Sequence, residues 1–307
     1  MDSNISTLLL QAADDLDSRA RMSAAEQVIE FYEDAGMDYG HWSRDFNMHL
    51  GFYRRGISFF DREGMLEQLN REVAARLRLD PGSHAFLIDM GCGAGAIART
   101  VARNYLGVTI KGVTITPSQV ELATTLNADE SLQGRTEILH AEYSAMPFAD
   151  RIADGVWAVE SACYAKGAAK ENLAKEMARV LKRGGRFVIA DCFIKKPERD
   201  LNFLIKRCYE AVCHYWALPE MPELASFVAA LERQGFRDVV VEDISWRVAP
   251  SLAHAPFAVF TFVVKKMLAG EPLKRHSINN LKASLLALTL GINRSKFSYC
   301  LISGKRG

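Results

Sequence analysis

The sequence contains no Cys-x-x-Cys pair, no apolar run of membrane-spanning length and no excess of charge of one sign. Its six cysteines are scattered, which is typical of reduced, mostly buried thiols and predicts neither a disulfide framework nor a metal site. The longest apolar runs, 255–264 and 285–292, are half or less of the roughly 20 residues that a membrane helix needs, so no membrane span is predicted. The sequence has 38 Lys and Arg residues and 37 Asp and Glu residues, so it lacks the basic excess of nucleic-acid binders, and we expect no nucleic-acid partner.

What is present is typical of a folded protein. Apolar residues make up 49% of the 307 residues and charged residues 24%, which excludes wholesale disorder and allows a sizeable core. The first twenty residues hold four aspartates and no basic start before an apolar stretch. This predicts no signal peptide, and we expect a cytoplasmic protein.

The pattern of the chain changes near residue 85. Residues 1–84 are predicted to form a helical leader or lid, with helices over 5–35 and 61–79, and a capping-box pattern from Ser23 to Glu26. Residues 85–307 alternate strands with helices, which indicates an α/β domain with a doubly wound, mostly parallel sheet. The predicted strands are 85–90, 108–115, 136–140, 155–159, 186–191, 237–244 and 296–303. The later predicted helices are 96 onward, 117–127, 170–181, 201–216, 223–234, 252–268 and 278–290.

The most informative segment is 89–95, Asp-Met-Gly-Cys-Gly-Ala-Gly, which directly follows a predicted strand. Alternate glycines at the end of a parallel strand let the backbone turn tightly against a nucleotide. The dinucleotide fingerprint also fits, but the second strand ends in Thr114, Ile115 and Thr116 with no acid for a ribose diol. A carboxylate at Asp89 would repel a pyrophosphate and suits a cationic ligand. S-Adenosylmethionine is therefore favoured over a nicotinamide cofactor.

Segment 89–95 resembles the first motif of class I S-adenosylmethionine-dependent methyltransferases. Residues 112–119, Gly-Val-Thr-Ile-Thr-Pro-Ser-Gln, are similar to the second-strand motif of the cyclopropane and mycolic acid synthase group. Segments 153–164 and 179–185 resemble sterol C-methyltransferases, and the resemblance covers roughly residues 36–245. It implies a Rossmann-like, seven-stranded sheet whose last strand is antiparallel, with helical segments at 195–230 and 250–292 covering the acceptor.

The resemblance also implies a cofactor site for S-adenosylmethionine. Thr114 and Gln119 take the places of residues that contact the cofactor, Glu142 that of an acid facing the adenine amino group, and Tyr39 that of a residue closing over the ligand. The full set of predicted cofactor-binding residues is Tyr39, Asp89, Gly91, Gly93, Thr114, Ile115, Gln119, Glu142 and Tyr143.

The acceptor chemistry depends on what the methyl group joins. A hydroxyl or an amine must lose a proton to a base, whereas an alkene forms a cation that ring faces and a carboxylate stabilise. Glu160, at the end of the fourth predicted strand, and His49, in an Asn-Met-His-Leu-Gly-Phe-Tyr stretch, are the candidates for catalysis. The predicted acceptor-binding residues are the aromatics Phe52, Tyr53, Tyr164, Tyr209 and Trp216.

The sequence thus favours methyl transfer to a small hydrophobic acceptor, with C-methylation of an isoprenoid-type (terpenoid) group in secondary metabolism as its preferred form. The alternatives are N- or O-methylation of a polar or natural-product acceptor, and a cofactor-binding protein without catalysis. A basic cluster over 265–282 suits either a diphosphate or a solvated surface. The leader suits either its own core or a second subunit, so a homo-oligomer stays open.

Overall fold

The computed structural model describes residues 22–80, 82 and 84–307, so most of the predicted leader helix, residues 5–21, lies outside the described part. Pro81, which follows the second predicted helix, is also outside it. The strands are β1 Ala85–Met90, β2 Val108–Thr114, β3 Thr136–His140, β4 Ala153–Val159, β5 Leu181–Ile194, β6 Phe236–Asp243 and β7 Phe297–Arg306. The α-helices of the described residues are α1 Ala24–Ala35, α2 Tyr39–Trp42, α3 Arg62–Leu77, α4 Ala96–Asn104, α5 Pro117–Asp129, α6 Glu171–Val180, α7 Phe203–Tyr215, α8 Leu224–Arg233, α9 Ser245–Leu252, α10 Ala255–Ala269 and α11 Arg275–Ile292.

The strands form one sheet in the order β3-β2-β1-β4-β5-β7-β6. Strand β1 pairs in parallel with both β2 and β4, whereas β7 is antiparallel to β5 and to β6. The predicted fold class is therefore confirmed. Strand order reverses between β1 and β4, and in open α/β sheets ligands bind beside the carboxyl ends of the strands at such a point.

Both faces of the sheet are covered by helices, because successive strand residues point to opposite sides. In β1, Leu87 belongs to a core that includes residues of α3 and α4, while Ile88 belongs to a core that includes residues of α6 and α8. The same alternation holds for Val188 and Ile189 in β5. This double burial explains why the central strands show as short, nearly continuous apolar runs in the sequence.

The predicted helix 252–268 corresponds to α10, Ala255–Ala269, whereas α9, Ser245–Leu252, which directly precedes it, is not predicted from the sequence. Pro256 lies in the first turn of α10, and it has no N–H to donate to the carbonyl of Leu252, four residues earlier. The helix is therefore interrupted at Ala253 and His254. Apolar spacing alone does not reveal this break.

The stretch Ser245–Ala269 contains both helices and is, within the described residues, long and apolar enough by composition to cross a membrane. Only 28% of its most apolar window is buried. A single stretch of this kind is weak evidence for a span, so the predicted absence of a span stays a prediction.

The segment 47–53 lies between α3 and α9. The N–H of Phe52 donates to the carbonyl of Met65 in α3 at 2.7 Å, and the N–H of Gly51 donates to Oγ of Ser251 in α9 at 2.8 Å. The N–H of Tyr53 donates to the carbonyl of Arg247 at 2.7 Å. Backbone groups of this segment are thus held between one sheet-covering helix and one late helix.

Gly51 allows this close packing, and its replacement by alanine should weaken the fold. A Cβ at this position would lie 2.6 Å from the carbonyl carbon of Met65, which is main chain and cannot move aside. We expect Gly51→Ala to lower the free energy of unfolding by about 1–3 kcal/mol, the usual cost of overpacking, as measured by urea denaturation.

The matched control is Gly36→Ala, because a Cβ there meets only the Cβ of Tyr32 at 4.0 Å and the backbone is already helical. Equal destabilisation by the two substitutions would contradict the packing explanation.

Candidate functional site

The loop after β1 turns on three glycines in left-handed backbone conformations. Gly91, Gly93 and Gly95 have φ values of 80°, 53° and 77°. A Cβ on Gly91 would lie 2.5 Å from Cβ of Ser161, and one on Gly93 would lie 3.3 Å from Sδ of Met48. The N–H groups of Gly91 and Cys92 both donate to the carbonyl of Val113 in β2. The loop therefore sits close to its neighbours and leads directly into the N-terminus of α4.

Asp89 is the strongest sign that the loop holds a ligand. Its side chain is 2% exposed, and its Oδ2 atom has no hydrogen-bond partner among the described residues. Burial raises the pKa of this carboxyl to about 8. A buried carboxylate of this kind is costly unless a cation or a hydrogen-bond donor approaches it. The site therefore fits S-adenosylmethionine, which carries a sulfonium and an ammonium group.

Thr114 and Gln119 lie together beside the glycine loop. The Thr114 hydroxyl donates to Oε1 of Gln119 at 2.6 Å, and both side chains are buried. Nε2 of Gln119 lies 3.5 Å from Sδ of Met48, the residue that also approaches Gly93. Ile115, the next residue after β2, packs against the aromatic cluster that includes Tyr164.

Glu142 and Tyr143 follow β3 and differ in their surroundings. The Glu142 side chain is exposed and accepts a hydrogen bond from the Ser144 hydroxyl at 2.6 Å. The Tyr143 hydroxyl donates to the carbonyl of Ser161 at 2.9 Å, and its ring approaches Gly91. Tyr143 therefore packs against the glycine loop, while the exposed side chain of Glu142 remains accessible to a ligand.

A cavity of about 420 Å³ opens beside the carboxyl ends of β4 and β5. This volume is within the range of small-molecule sites. Its wall is mostly apolar and aromatic and comes from the leader, the loop after β4 and the late helices. Representative lining residues are Tyr39, Trp42, Tyr164, Trp216, Phe262 and Leu288.

Glu160 supplies a carboxyl group to this cavity. It follows β4 in a left-handed conformation, with φ of 45°, which is unusual for a residue with a Cβ. Oε1 accepts the N–H of Leu50 at 2.7 Å and the hydroxyl of Tyr299 at 2.8 Å. Burial, the largest effect, raises the pKa of Glu160 to about 7, although these two donors lower it. The side chain thus titrates near neutral pH.

His49 lies next to Leu50 and also lines the cavity. Its Nδ1 is 2.9 Å from the carbonyl of Leu50, which can only accept, so the proton is on Nδ1 and the lone pair is on Nε2. Nε2 is buried without a well-formed hydrogen bond, and the Asn70 side chain lies close enough to favour the protonated ring. Burial lowers the pKa of His49 to about 4, so the ring is neutral at pH 7. Leu50 therefore joins the two candidates for catalysis through its two backbone groups.

Three predicted acceptor-binding residues do not line the cavity. Phe52 is buried in the core that includes residues of α3, and Tyr53 lies outside the wall. The Tyr209 ring stacks on Phe297 at 6.1 Å, and its hydroxyl accepts the N–H of Met221. Phe52 and Tyr209 thus lie in the packed interior and Tyr53 is half-buried, so none of the three contacts this cavity, and their predicted acceptor contact stays a prediction. Tyr164 and Trp216 do line the cavity, as does Tyr39.

The structure adds cavity residues that the sequence interpretation did not select. Asp191 in β5 is buried, accepts the N–H groups of Cys163 and Cys192, and lines the wall. Asp191 follows an apolar strand run, as Asp89 does, and that signal was available in the sequence. Tyr32 and Tyr299 carried no such signal, because they come from helix α1 and strand β7, distant in the chain. Within the described residues no group of three or more His, Cys, Asp or Glu side chains is arranged to hold a metal ion.

Comparisons with known proteins agree with this geometry. Residues 88–189 match the family model described as a methyltransferase domain. An O-methyltransferase of Aspergillus nomiae is 30% identical over 201 residues, which cover 64% of this chain and 83% of that protein. The 2-methyl-6-phytyl-1,4-hydroquinone methyltransferase of Synechocystis is 28% identical over 240 residues, covering 78% of this chain and 70% of that protein.

Among solved structures, a cyclopropane synthase from Mycobacterium tuberculosis superposes with a TM-score of 0.78. The match covers 93% of this chain and 99% of that chain at 14% sequence identity. At this identity the likeness shows a shared fold and nothing more specific.

The buried carboxyl group, with its Oδ2 atom lacking a hydrogen bond, predicts that Asp89→Asn weakens the binding of S-adenosylmethionine by about 10–100-fold, the usual cost of losing a charged hydrogen-bonding partner. In the ligand-free protein Asp89 is mostly protonated below its pKa of about 8. Binding of a cation must release that proton, so affinity should rise between pH 6 and 8 and then level off. Titration calorimetry across this range measures both effects.

The same pKa has a consequence for stability. A carboxyl whose pKa is raised by folding stabilises the fold at low pH, and this contribution is lost as the pH rises from about 4 to about 8. Asp89→Asn should therefore unfold no more easily than the wild type at pH 8. The control Asp129→Asn, an exposed position at the end of α5, should change neither property. An unchanged affinity in Asp89→Asn would remove Asp89 from the ligand site.

Proposed function

Since the chain belongs to the class I S-adenosylmethionine-dependent methyltransferases, we propose that it methylates a hydrophobic, isoprenoid-type acceptor at carbon in secondary metabolism. The observation that carries this proposal is the position of the Glu160 carboxyl group, held by two hydrogen bonds, in a largely apolar and aromatic cavity that Asp38 and Asp191 also line.

The residues predicted to bind the cofactor would hold S-adenosylmethionine in place and shield it from water. Gly91 and Gly93, which have no side chains, let the ligand approach the backbone, and Asp89 can bind its positive charge. Gln119 lies next to this loop, with its Nε2 3.5 Å from Sδ of Met48. When bound, S-adenosylmethionine supplies a methyl group that is already activated by its positive sulfur. The protein therefore needs mainly to align the acceptor and to exclude water.

The wall of the cavity suits an oily acceptor on which positive charge develops. Tyr39, Tyr164 and Trp216 present aromatic surfaces to the cavity, and Tyr32 and Tyr164 share a hydrogen bond of 2.9 Å that fixes both rings. Ring faces attract a cation, and a carboxylate in a low-dielectric site stabilises it further. Both kinds of group are present here, which favours a carbon acceptor with a double bond.

Glu160 is also suited to remove the proton that such a carbon loses after methylation. A base works best with a pKa near the working pH, and that of Glu160 is about 7. The N–H of Leu50 and the hydroxyl of Tyr299 both bind Oε1 and hold the group in one orientation. The similarity to a methyltransferase whose named acceptor carries a phytyl chain supports an isoprenoid-type acceptor.

Glu160→Gln should lower turnover by about 100-fold or more, because general-base and charge stabilisation are both lost. The glutamine carbonyl oxygen can still accept from Leu50 and Tyr299, so affinity for S-adenosylmethionine should stay nearly unchanged. Transfer of labelled methyl to a panel of prenyl compounds, with identification of the methylated atom, measures the effect. An unchanged rate would remove Glu160 from the reaction, and binding of the cofactor without transfer to any compound would favour a non-catalytic protein.

Tyr299→Phe tests whether the pKa of Glu160 sets the pH dependence of the rate. Removal of a donor to the ionised carboxylate raises the pKa of Glu160 above about 7, so the acidic limb of the pH–rate profile should move to higher pH. A limb at the wild-type position would show that Glu160 does not set the pH dependence.

O-Methylation is a second candidate, and one specific observation favours it. The lone pair of His49 Nε2 is buried beside the cavity without a well-formed hydrogen bond, and it would accept a proton from an acceptor hydroxyl. The similarity to an O-methyltransferase is in line with this chemistry. The two candidates differ in the group that must be unprotonated, which is Glu160 for carbon and His49 for oxygen.

His49→Gln separates them. An O-methyl product should be lost by about 100-fold or more in this variant, whereas a C-methyl product should persist, because proton removal at carbon does not use His49. The pH profile gives an independent reading: an O-methylating wild type should keep its activity down to about pH 4, the pKa of His49.

The matched control is His84→Gln, an exposed position directly before β1, which should change neither product. Equal loss of a C-methyl product in His49→Gln would contradict the assignment of proton removal at carbon to Glu160 alone.

A further inference from the structure

The two long helices α10 and α11 form one wall of the cavity. Ala258, Val259 and Phe262 of α10 line the cavity from one side. Leu281, Ser284 and Leu288 of α11 line it as well. Since the two helices contact each other, their inner faces together form this wall.

The outer faces of the same helices are also apolar. In α10, Phe257, Phe260 and Leu268 are 66%, 64% and 85% exposed, and their spacing places them on one face of the helix. In α11, exposed Ile278, Leu285 and Ile292 recur every seven residues and therefore share a second face. Large apolar side chains exposed along one helix face commonly mark an interaction site.

The charge around this surface is strongly positive. Residues 245–296 contain eight Lys and Arg residues but a single acidic residue, Glu271. Lys265 is exposed directly after the uncharged part of α10, and Lys282 lies between Ile278 and Leu285 on the exposed face of α11. The members of the basic cluster over 265–282 are not part of the cavity wall. Their position on the outside does not suit a diphosphate held in that cavity.

We propose that this outer face of α10 and α11 docks on the surface of an anionic lipid bilayer. A helix with apolar residues flanked by lysines binds in the interface, with its apolar face among the upper acyl chains and its cations at the headgroups. The chain lies on the membrane and does not cross it. The helix breaks between α9 and α10, and the inner face of α10 serves as the wall of the cavity.

Charge also decides between a bilayer and a second copy of this chain. A two-fold dimer through this face would set the patch against itself, because the same residues meet across a symmetric interface. The exposed lysines of this face, Lys265 and Lys282, would then meet their own copies, which is unfavourable. An anionic surface is complementary to the same residues.

The cavity opens on this same side of the protein. Trp246 and Ile292 both line the cavity and are largely exposed, so they mark its mouth. The guanidinium of Arg294 lies 4.9 Å from the centre of the Trp246 ring, and tryptophan with a basic residue is typical of a membrane interface. A lipophilic acceptor of the class proposed above would thus pass from the bilayer into the cavity without crossing water. Docking itself rests on the surface alone and not on the reaction.

The test is co-sedimentation of the full chain with vesicles, without cofactor or acceptor, so its result is independent of the proposed function. The vesicles are pure phosphatidylcholine or phosphatidylcholine with phosphatidylglycerol. The wild type should bind the anionic vesicles about tenfold or more tightly than the neutral ones. Phe257→Ser with Phe260→Ser should lower binding to anionic vesicles by about tenfold or more.

Two further variants make the result specific. Lys265→Glu with Lys282→Glu should abolish the preference for anionic vesicles, because two positive charges become negative. Leu106→Ser replaces an equally exposed leucine that precedes β2 at the amino-terminal edge of the sheet, and it should bind as the wild type does. Circular dichroism melts confirm that each variant is folded.

The proposal is overturned if the wild type stays in the supernatant with both kinds of vesicle, or if Leu106→Ser loses as much binding as the α10 variant. It is also overturned if sedimentation velocity shows a wild-type dimer that the α10 variant dissociates while neither binds vesicles. In that case the face belongs to a second copy of the chain.

Discussion

The hydrogen bond from the N–H of Leu50 to the carboxyl group of Glu160 is the contact on which the candidate site depends. It joins the leader to the end of β4, and the carbonyl of the same residue holds the His49 ring. Met48, one residue further back, lies against Gly93 and Gln119 of the cofactor loop. One short segment therefore sets the distance between the cofactor loop and the acceptor cavity. Its backbone groups can do so because Gly51 packs directly on α3.

Most of the fold was predictable, because the sheet imposes local patterns on the sequence. Strands β1 and β3 were placed at their observed bounds, and the glycine loop was recognised from seven consecutive residues. A parallel strand buried on both faces must be apolar, and a loop that turns between Gly91 and Gly95 needs residues that tolerate positive φ. Both requirements act on neighbouring residues, so they are visible in sequence.

The acceptor cavity was less predictable, because its wall combines residues that are far apart in the chain. Phe52 and Tyr209 have the same composition signal as Tyr164 and Trp216, yet the first two pack into core clusters and the latter two face the cavity. Tyr299 reaches Glu160 across 139 positions only because β7 inserts between β5 and β6. Aromatic character predicts burial but does not say which side of a wall a ring faces.

The late helices were also less predictable, because helix α10 is apolar on more than one face. A helix with one apolar face has a clear periodicity, whereas α10 is apolar on both its cavity side and its outer side. Two apolar faces weaken the periodic signal of a helix, and the short helix α9 directly before α10 is not predicted from the sequence. The two faces have different surroundings, since Phe262 lines the cavity and Phe260 is exposed on the outside. Helix α10 forms a wall only one helix thick, and its two apolar sides are best explained if each side contacts an apolar environment.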